Sequence, residues 1–189
     1  WRRWCKKNDV ELFLLEEPVL SMDDMHIIWQ RYFLFDIYDA NEIKANQTLM
    51  VDADTIIHPD CPNFFNETEN KYCMIHEWFD YWKYRNSGFQ IVNDSRRDFF
   101  QHMRDFYFEN IEQINTIQQK YGIGTDQTPL NFNLNIKNVD VKLLPYKYNM
   151  GCMIKKEVLA EDMLFTKIGW IYHFNGLPDK DKSVPFWMK

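Results

Sequence analysis

The sequence lacks an excess of basic residues. It contains 22 Lys and Arg against 28 Asp and Glu, a formal net charge of -6, and its isoelectric point is near 5.4. Proteins whose main partner is a nucleic-acid backbone carry a basic surface, because Lys and Arg make the phosphate contacts. We therefore expect no nucleic-acid partner.

The composition also lacks the apolar character of a membrane-spanning protein. Mean hydropathy is -0.52 and 26% of the residues are charged, whereas a membrane helix needs about 20 mostly apolar residues in succession. We expect no membrane insertion. The 46% of hydrophobic residues favours a packed globule, which at this length would bury roughly 70% of its unfolded surface.

No cysteine pair has the spacing of a zinc or dithiol site. The four cysteines, Cys5, Cys61, Cys73 and Cys152, include no C-x-x-C, so we expect reduced, buried thiols. The sequence contains no repeat and no low-complexity linker. These features predict one domain over residues 1–189.

Apolar segments with strand character alternate with helical patterns along the chain. The patterns predict helices over residues 1–8, 21–38, 95–121 and 126–138. They predict strands over residues 10–15, 48–51, 72–75, 89–92, 141–144 and 170–174, with a turn at residues 86–88. This alternation indicates an α/β fold, with a central mixed, mostly parallel sheet flanked by helices.

An acidic triplet, Asp52-Ala53-Asp54, follows the strand predicted at residues 48–51. In an extended segment, residues two apart point to the same side, so both carboxylates can face one cavity. Their repulsion, of order 1 kcal/mol or more, is relieved by a divalent cation. Carboxylate oxygens select Mg²⁺, Mn²⁺ or Ca²⁺, and a diphosphate can supply further oxygen ligands. In a chain this acidic, however, such a triplet also arises by chance.

Several further segments accompany the triplet in a characteristic order. They are LMVDADTIIHP at residues 49–59, RNSGFQIVN at 85–93, GTDQTPLN at 124–131, LPYKYN at 144–149 and WIYHFNG at 170–176. Together they resemble glycosyltransferases of the GT-A type, and most closely the glycosyltransferase domain of a multidomain glycan-synthesis protein of chlorella viruses. The resemblance spans most of the chain and implies a single-domain, Rossmann-like GT-A fold.

The resemblance implies a role for each matching residue. Asp52, Asp54 and His173 would bind the metal, Mn²⁺ or Mg²⁺. The residues implied to contact the donor are Asp52, Asp54, Asn86, Gly88, His173 and Gly176. Asp126 and Gln127 would act on the sugar face where the acceptor attacks, as stabilising charge and dipole or as a covalent nucleophile.

The implied reaction moves a sugar from a nucleoside-diphosphate sugar, UDP above all, to a glycan or another hydroxyl acceptor, with retention of configuration. The first strand predicted in this chain corresponds to the second strand of the family's pattern. Because the chain also opens with Trp1, we expect it to be a fragment that lacks the family's first strand. The expected compartment is the cytoplasm, the host's if the protein is viral, rather than the Golgi lumen.

Two other functions are compatible with the triplet. A phosphohydrolase of the haloacid-dehalogenase type also uses D-x-D at a strand end, but it needs a later acidic pair on a loop, and no such pair follows a strand here. A carbohydrate-binding module could keep the fold without turnover. Individually, Asn86 and Asn131 could be turn and cap residues, and His173 could be a core histidine.

Overall fold

The computed structural model describes residues 1–76, 85–121, 126–151 and 169–174. The α-helices of these residues are α1 (Arg2–Asn8), α2 (Leu34–Ala40), α3 (Arg97–Glu109), α4 (Ile111–Tyr121) and α5 (Gln127–Ile136). The strands are β1 (Thr48–Val51), β2 (Thr55–Ile57), β3 (Tyr72–His76), β4 (Arg85–Val92), β5 (Val141–Leu144), β6 (Met150–Gly151) and β7 (Ile171–His173). Short 3-10 helices lie at Ile27–Phe33, Phe64–Glu67, Asp94–Arg96 and Tyr146–Tyr148. Among the described helices, none has the length and apolarity needed to cross a membrane.

The strands form two sheets that meet at the acidic triplet. The first has the order β1-β4-β3-β5 and the second the order β2-β7-β6. Three pairings, β1 with β4, β3 with β4 and β2 with β7, are antiparallel. Two pairings, β3 with β5 and β6 with β7, are parallel. The predicted α/β class and mixed sheet are confirmed, but the described pairings are not mostly parallel, because β4 runs against both of its neighbours.

Hydrophobic side chains cover both faces of the first sheet. Tyr72 and Met74 of β3 pack with α3, α5 and the Ile27–Phe33 segment, around Trp29, Tyr32, Phe100, Met103 and Leu130. Cys73 and Ile75 face the other way, toward Trp4, Phe64, Phe89, Tyr148 and Ile171. This alternation is that of a strand buried on both sides. The sheet thus lies between two hydrophobic cores.

Strand β4 contains the main irregularity of the first sheet. Against β3, Met74 pairs with Gln90 and the next residue, Ile75, pairs with Asn86. β3 thus advances by one residue while β4 advances by four, which makes a bulge over residues 87–89. The turn predicted at residues 86–88 is therefore wrong. Those residues belong to β4, and the Gly-containing signal marks a bulge within a strand.

The apolar run at residues 10–15 does not form the predicted buried strand. Leu12 is 38% exposed and Phe13, Leu14 and Leu15 are 55 to 58% exposed. In the part of the chain that the structure describes, no strand pairs with this segment. Apolar composition alone does not recruit a segment to a sheet, because its backbone groups also need a partner strand.

Two predicted helices differ in extent. Ser21 begins a turn, in which its carbonyl accepts from the N–H groups of Asp24 and Met25, and the regular helical segment starts only at Ile27. The helix predicted over residues 95–121 is divided at Asn110, whose side chain donates to the Phe106 carbonyl at 2.8 Å. An asparagine amide competes with the helical backbone in this way, so α3 ends and α4 begins there.

Candidate functional site

The acidic triplet lies in the connection between the two sheets. β1 ends at Val51 and β2 begins at Thr55, so the triplet forms a tight turn and is not an extension of β1. The Thr55 hydroxyl donates to the Asp52 carbonyl at 2.8 Å, and the Phe174 N–H donates to the Asp54 carbonyl at 2.9 Å. The carboxylates converge because of this turn, and not through the alternation of an extended strand.

His173 joins the two carboxylates from β7. Its strand pairs with Thr55 of β2 on one side and Gly151 of β6 on the other. His173 Nε2 lies 3.3 Å from Asp52 Oδ2 and 3.2 Å from Asp54 Oδ1. One ligand atom of each residue lies within 4.8 Å of the others. The predicted trio, here called the metal group, is therefore brought together.

The imidazole of His173 is buried among polar groups without hydrogen-bonding them. The residue is 2% exposed, and within the described residues neither ring nitrogen has a hydrogen-bond partner. A buried polar atom in this condition is commonly paired with an ion, a ligand or a water molecule. Two carboxylate oxygens and one imidazole nitrogen form a donor set that fits Mn²⁺, and with less preference Mg²⁺.

The electrostatics of the metal group favour a positive charge at its centre. Burial alone would lower the pKa of His173, but its interactions with Asp52 and Asp54 raise the pKa to about 9. Burial alone would raise the pKa of Asp52, yet the imidazole of His173 and the charge of Arg31 hold it well below its ordinary value. A proton on His173 would balance part of the charge of the two carboxylates, and a divalent cation would compete with that proton for Nε2.

Gly88 provides the space in which the metal group assembles. It lies in the β4 bulge, and its carbonyl accepts from the Asp52 N–H at 3.1 Å. A Cβ at this position would lie 2.3 Å from Asp52 Oδ2 and 2.7 Å from His173 Cε1. Glycine is therefore required because two side chains of the metal group occupy the space that a Cβ would need.

Arg31 is a site residue that the sequence did not reveal. Its Nη2 lies 2.7 Å from Asp52 Oδ1, its Nε lies 3.6 Å from Asp126 Oδ2, and its Nη1 donates to the Ser87 carbonyl. It thus connects the metal group, through Asp52, with the predicted pair Asp126 and Gln127, through Asp126. A signal was present: Arg31 lies within the aromatic run WQRYF, and a cation in an apolar helix usually has a buried counter-charge.

Asp126 and Gln127 converge on Ser87 at the bulge. The Ser87 hydroxyl lies 3.2 Å from Asp126 Oδ1, and its backbone N–H donates to Gln127 Oε1 at 3.0 Å. Asp126 is 4% exposed. Burial raises its pKa and the charge of Asp52 adds to this effect, while Arg31 and the Ser87 hydroxyl oppose it. The predicted pair therefore contacts Ser87, the chain neighbour of Gly88, and is linked through Arg31 to the metal group.

The remaining asparagines of the predicted segments have distinct contacts. Asn86 Oδ1 accepts from the Gly88 N–H at 2.8 Å and from Asn149 Nδ2 at 2.9 Å. Asn131 is neither a turn nor a cap residue, since its amide exchanges two hydrogen bonds of 2.8 Å with the backbone of Arg85. It anchors α5 to the start of β4.

The predicted donor-binding residue Gly176 lies outside the described residues.

Comparisons with known proteins bear on the fold. No protein-family model matches the chain, and no curated protein matches it. A glycosyltransferase involved in the glycosylation of the major capsid of PBCV-1 aligns with a TM-score of 0.61 at 11% identity, over 93% of this chain and 83% of that chain. The glycosyltransferase GlyE of Streptococcus pneumoniae aligns with a TM-score of 0.56 at 16% identity, over 85% of this chain and 40% of that chain. The chain therefore has the fold of these glycosyltransferases, as the GT-A resemblance predicted.

Proposed function

We propose that this chain is a metal-dependent glycosyltransferase that takes a sugar from a nucleoside-diphosphate donor. The observation that carries the proposal is the metal group, Asp52, Asp54 and His173, on a glycosyltransferase fold. Its buried imidazole without a hydrogen-bond partner and its two close carboxylates are consistent with a bound cation. Following the resemblance, we take UDP as the nucleotide, Mn²⁺ as the preferred ion and a glycan as the acceptor.

The difficult event in such a reaction is departure of the nucleoside diphosphate, which leaves negative charge on the phosphate and positive charge on the sugar. A bound Mn²⁺ or Mg²⁺ would offset the phosphate charge. Arg31 supplies a fixed positive charge beside Asp52 without needing to reorient, because Asp52, Asp126 and the Ser87 carbonyl already hold its guanidinium.

Asp126 is the group we assign to the reacting face of the sugar. Its Oδ1 lies against the Ser87 hydroxyl, whereas its Oδ2, at 3.6 Å from Arg31, has no hydrogen-bond partner in the described part of the chain. A buried carboxylate oxygen held in this way can stabilise positive charge at the anomeric carbon. We propose retention of configuration from the resemblance of the Asp126–Gln127 element to retaining enzymes.

The phosphohydrolase alternative is weaker on the geometry. Its mechanism needs the first carboxylate of D-x-D to attack phosphorus, and here both oxygens of Asp52 have close partners: Oδ1 lies 2.7 Å from Arg31 Nη2 and Oδ2 lies 3.3 Å from His173 Nε2. The two functions also differ in product. A phosphohydrolase would release phosphate from p-nitrophenyl phosphate, whereas a glycosyltransferase would not.

The decisive experiment is calorimetric titration with UDP, GDP and ADP, each with and without Mn²⁺. We expect one nucleotide to bind only when Mn²⁺ is present. Asp54→Asn should abolish that binding, whereas Asp60→Asn, an exposed carboxylate paired with Lys7 at 3.5 Å, should leave it unchanged. Absence of nucleotide binding under every condition would overturn the proposal, and phosphate release would favour the phosphohydrolase.

A further inference from the structure

Two buried amide side chains, Asn86 and Asn149, meet beside the metal group. Asn86 is 7% exposed and Asn149 is 2% exposed. Asn149 comes from the segment that leads into β6, and its Nδ2 donates to Asn86 Oδ1 at 2.9 Å. The same Asn86 oxygen accepts the Gly88 N–H at 2.8 Å.

The direction of these hydrogen bonds is determined by the backbone. The Gly88 N–H can only donate, so the atom of Asn86 that faces it must be the amide oxygen. The Asn149 atom that faces the same oxygen must then be its amide nitrogen, because a flipped amide would place two oxygens in contact. Asn149 Oδ1 therefore lies on the opposite branch of its amide.

Asn149 Oδ1 is a buried acceptor without a donor. Among the described residues it has no hydrogen-bond partner. Leaving such an atom unpaired destabilises a protein, so in a native fold it usually indicates a partner from outside the chain. An amide oxygen accepts hydrogen bonds, so the outside groups that can satisfy it are a hydroxyl, an N–H group or a water molecule.

The chain neighbours of Asn149 and Asn86 connect this acceptor to the metal group. Gly151, two residues after Asn149, pairs with His173 of the metal group. Asn86 is two residues before Gly88, whose missing Cβ makes room for Asp52 and His173. The unpaired oxygen thus belongs to the part of the fold in which a metal-bound diphosphate would carry its sugar.

We propose that Asn149 Oδ1 accepts a hydrogen bond from one hydroxyl of the donor's sugar, which makes Asn149 a specificity-determining residue. The proposal rests on the proposed function, since it needs a nucleoside-diphosphate sugar in the site. Asn149 does not contact the nucleotide in this assignment. Its contribution must therefore appear with the complete donor and be absent with the nucleoside diphosphate alone.

The test compares wild type with Asn149→Ala by calorimetry in Mn²⁺, using UDP and whichever of UDP-glucose, UDP-galactose and UDP-N-acetylglucosamine binds wild type most tightly. We expect Asn149→Ala to weaken sugar-nucleotide binding roughly fivefold to tenfold, the effect of one hydrogen bond, and to change UDP binding less than about twofold. Asn133→Ala is the matched control, because Asn133 is a buried asparagine of α5 that bonds the Pro129 carbonyl and His102.

Deoxy analogues of the same sugar nucleotide then identify the hydroxyl. In wild type, one deoxy analogue should lose roughly the same fivefold to tenfold in affinity as the variant does. In Asn149→Ala that analogue should show no further loss, since the hydrogen bond is already absent. If Asn149→Ala does not fold, Asn149→Ser provides the same comparison with a shorter side chain.

Equal losses for UDP and for the sugar nucleotide would overturn the inference, and so would unchanged binding of both, as expected if the oxygen holds only water. A sugar nucleotide that binds wild type no better than UDP would also overturn it. Failure of the proposed function has a different signature, because wild type itself would then bind neither compound in Mn²⁺.

Discussion

Gly88 is hydrogen-bonded to the backbone of Asp52, and its lack of a side chain leaves room for the Asp52 carboxylate. The Asp52 N–H donates to the Gly88 carbonyl at 3.1 Å, and a Cβ on Gly88 would lie 2.3 Å from the Asp52 carboxylate. The bulge of β4 and the acidic turn between the sheets are therefore mutually adapted. The presence of glycine at position 88 therefore has a structural explanation that does not depend on any ligand.

We expect Gly88→Ala to displace Asp52 and His173, because a Cβ contact under 3 Å cannot be accommodated without movement. Overpacking of this kind costs about 1 to 3 kcal/mol of unfolding free energy, and Mn²⁺ affinity should fall about tenfold or more. Urea unfolding and Mn²⁺ titration measure the two effects. Gly169→Ala is the control: its Cβ would crowd Tyr172 and Met150, which should lower stability and spare Mn²⁺ affinity. Full Mn²⁺ affinity in Gly88→Ala would contradict the expected displacement.

Metal binding should stabilise the folded protein, because the metal group exists only when β1, β2 and β7 are assembled. At about 100 times its dissociation constant, a ligand of the folded state adds about 2.7 kcal/mol. We expect Mn²⁺ to raise the melting temperature of wild type and to have little effect on His173→Ala. His102→Ala changes a histidine bonded to Asn133 and should keep the full response. Equal responses of the two variants would exclude His173 as a ligand.

The ion pair between Arg31 and Asp126 should give a measurable interaction free energy in a double-mutant cycle. Replacing Arg31 by Met leaves Asp126 buried without its ion-pair partner, which should cost about 3 to 5 kcal/mol of unfolding free energy. Adding Asp126→Asn removes the unpaired charge, so the double variant should recover part of that loss. Chemical denaturation of wild type, both single variants and the double variant measures the coupling. Strictly additive effects would mean that the 3.6 Å pair contributes nothing.

Ser87 should influence the reaction through Asp126. Ser87→Ala removes the hydroxyl that lies 3.2 Å from Asp126 Oδ1 but keeps the backbone N–H that bonds Gln127. Loss of a hydrogen bond to a charged group costs about 1.5 to 3 kcal/mol. We expect kcat of transfer to fall about tenfold or more with KM for the donor nearly unchanged, and Ser87→Thr to restore part of the rate. A change confined to KM would argue against this positioning role.

The raised pKa of Asp126 has a defined effect on stability. The folded state holds the proton of this carboxyl to a higher pH than the unfolded chain, whose carboxyl has the ordinary value of 3.8. Between those two pKa values the folded state binds more protons, so the contribution of Asp126 to stability declines as pH rises through that window. Relative to Asp126→Asn, wild type should therefore lose unfolding free energy as pH increases from about 4 toward neutrality. Unfolding curves of both proteins across this pH range test the direction of the change. If the stability of wild type relative to Asp126→Asn instead rises with pH, the effect of Arg31 on the pKa of Asp126 outweighs that of burial.

Local sequence signals were sufficient for many of the elements. Strands β1 and β5 were predicted to the residue, and α5 to within two residues at its C-terminal end. β2 and β6, with three and two residues, are too short to carry a periodic pattern. The triplet with its strand indicated a cation site. The GT-A resemblance then supplied His173 as a third ligand, although no local signal distinguishes it from a core histidine.

Contacts between distant segments decided the rest. The exposed run at residues 10–15 and the bulge in β4 depend on which strand lies alongside, and a local pattern carries no information about that neighbour. Arg31, Asn149 and the space at Gly88 acquire their roles only when α5, β4, β7 and the acidic turn meet. The sequence by itself determined the chemistry available and most elements of the fold. The tertiary structure decided which charges and amides face one another, because burial and hydrogen-bond direction arise only in the packed protein.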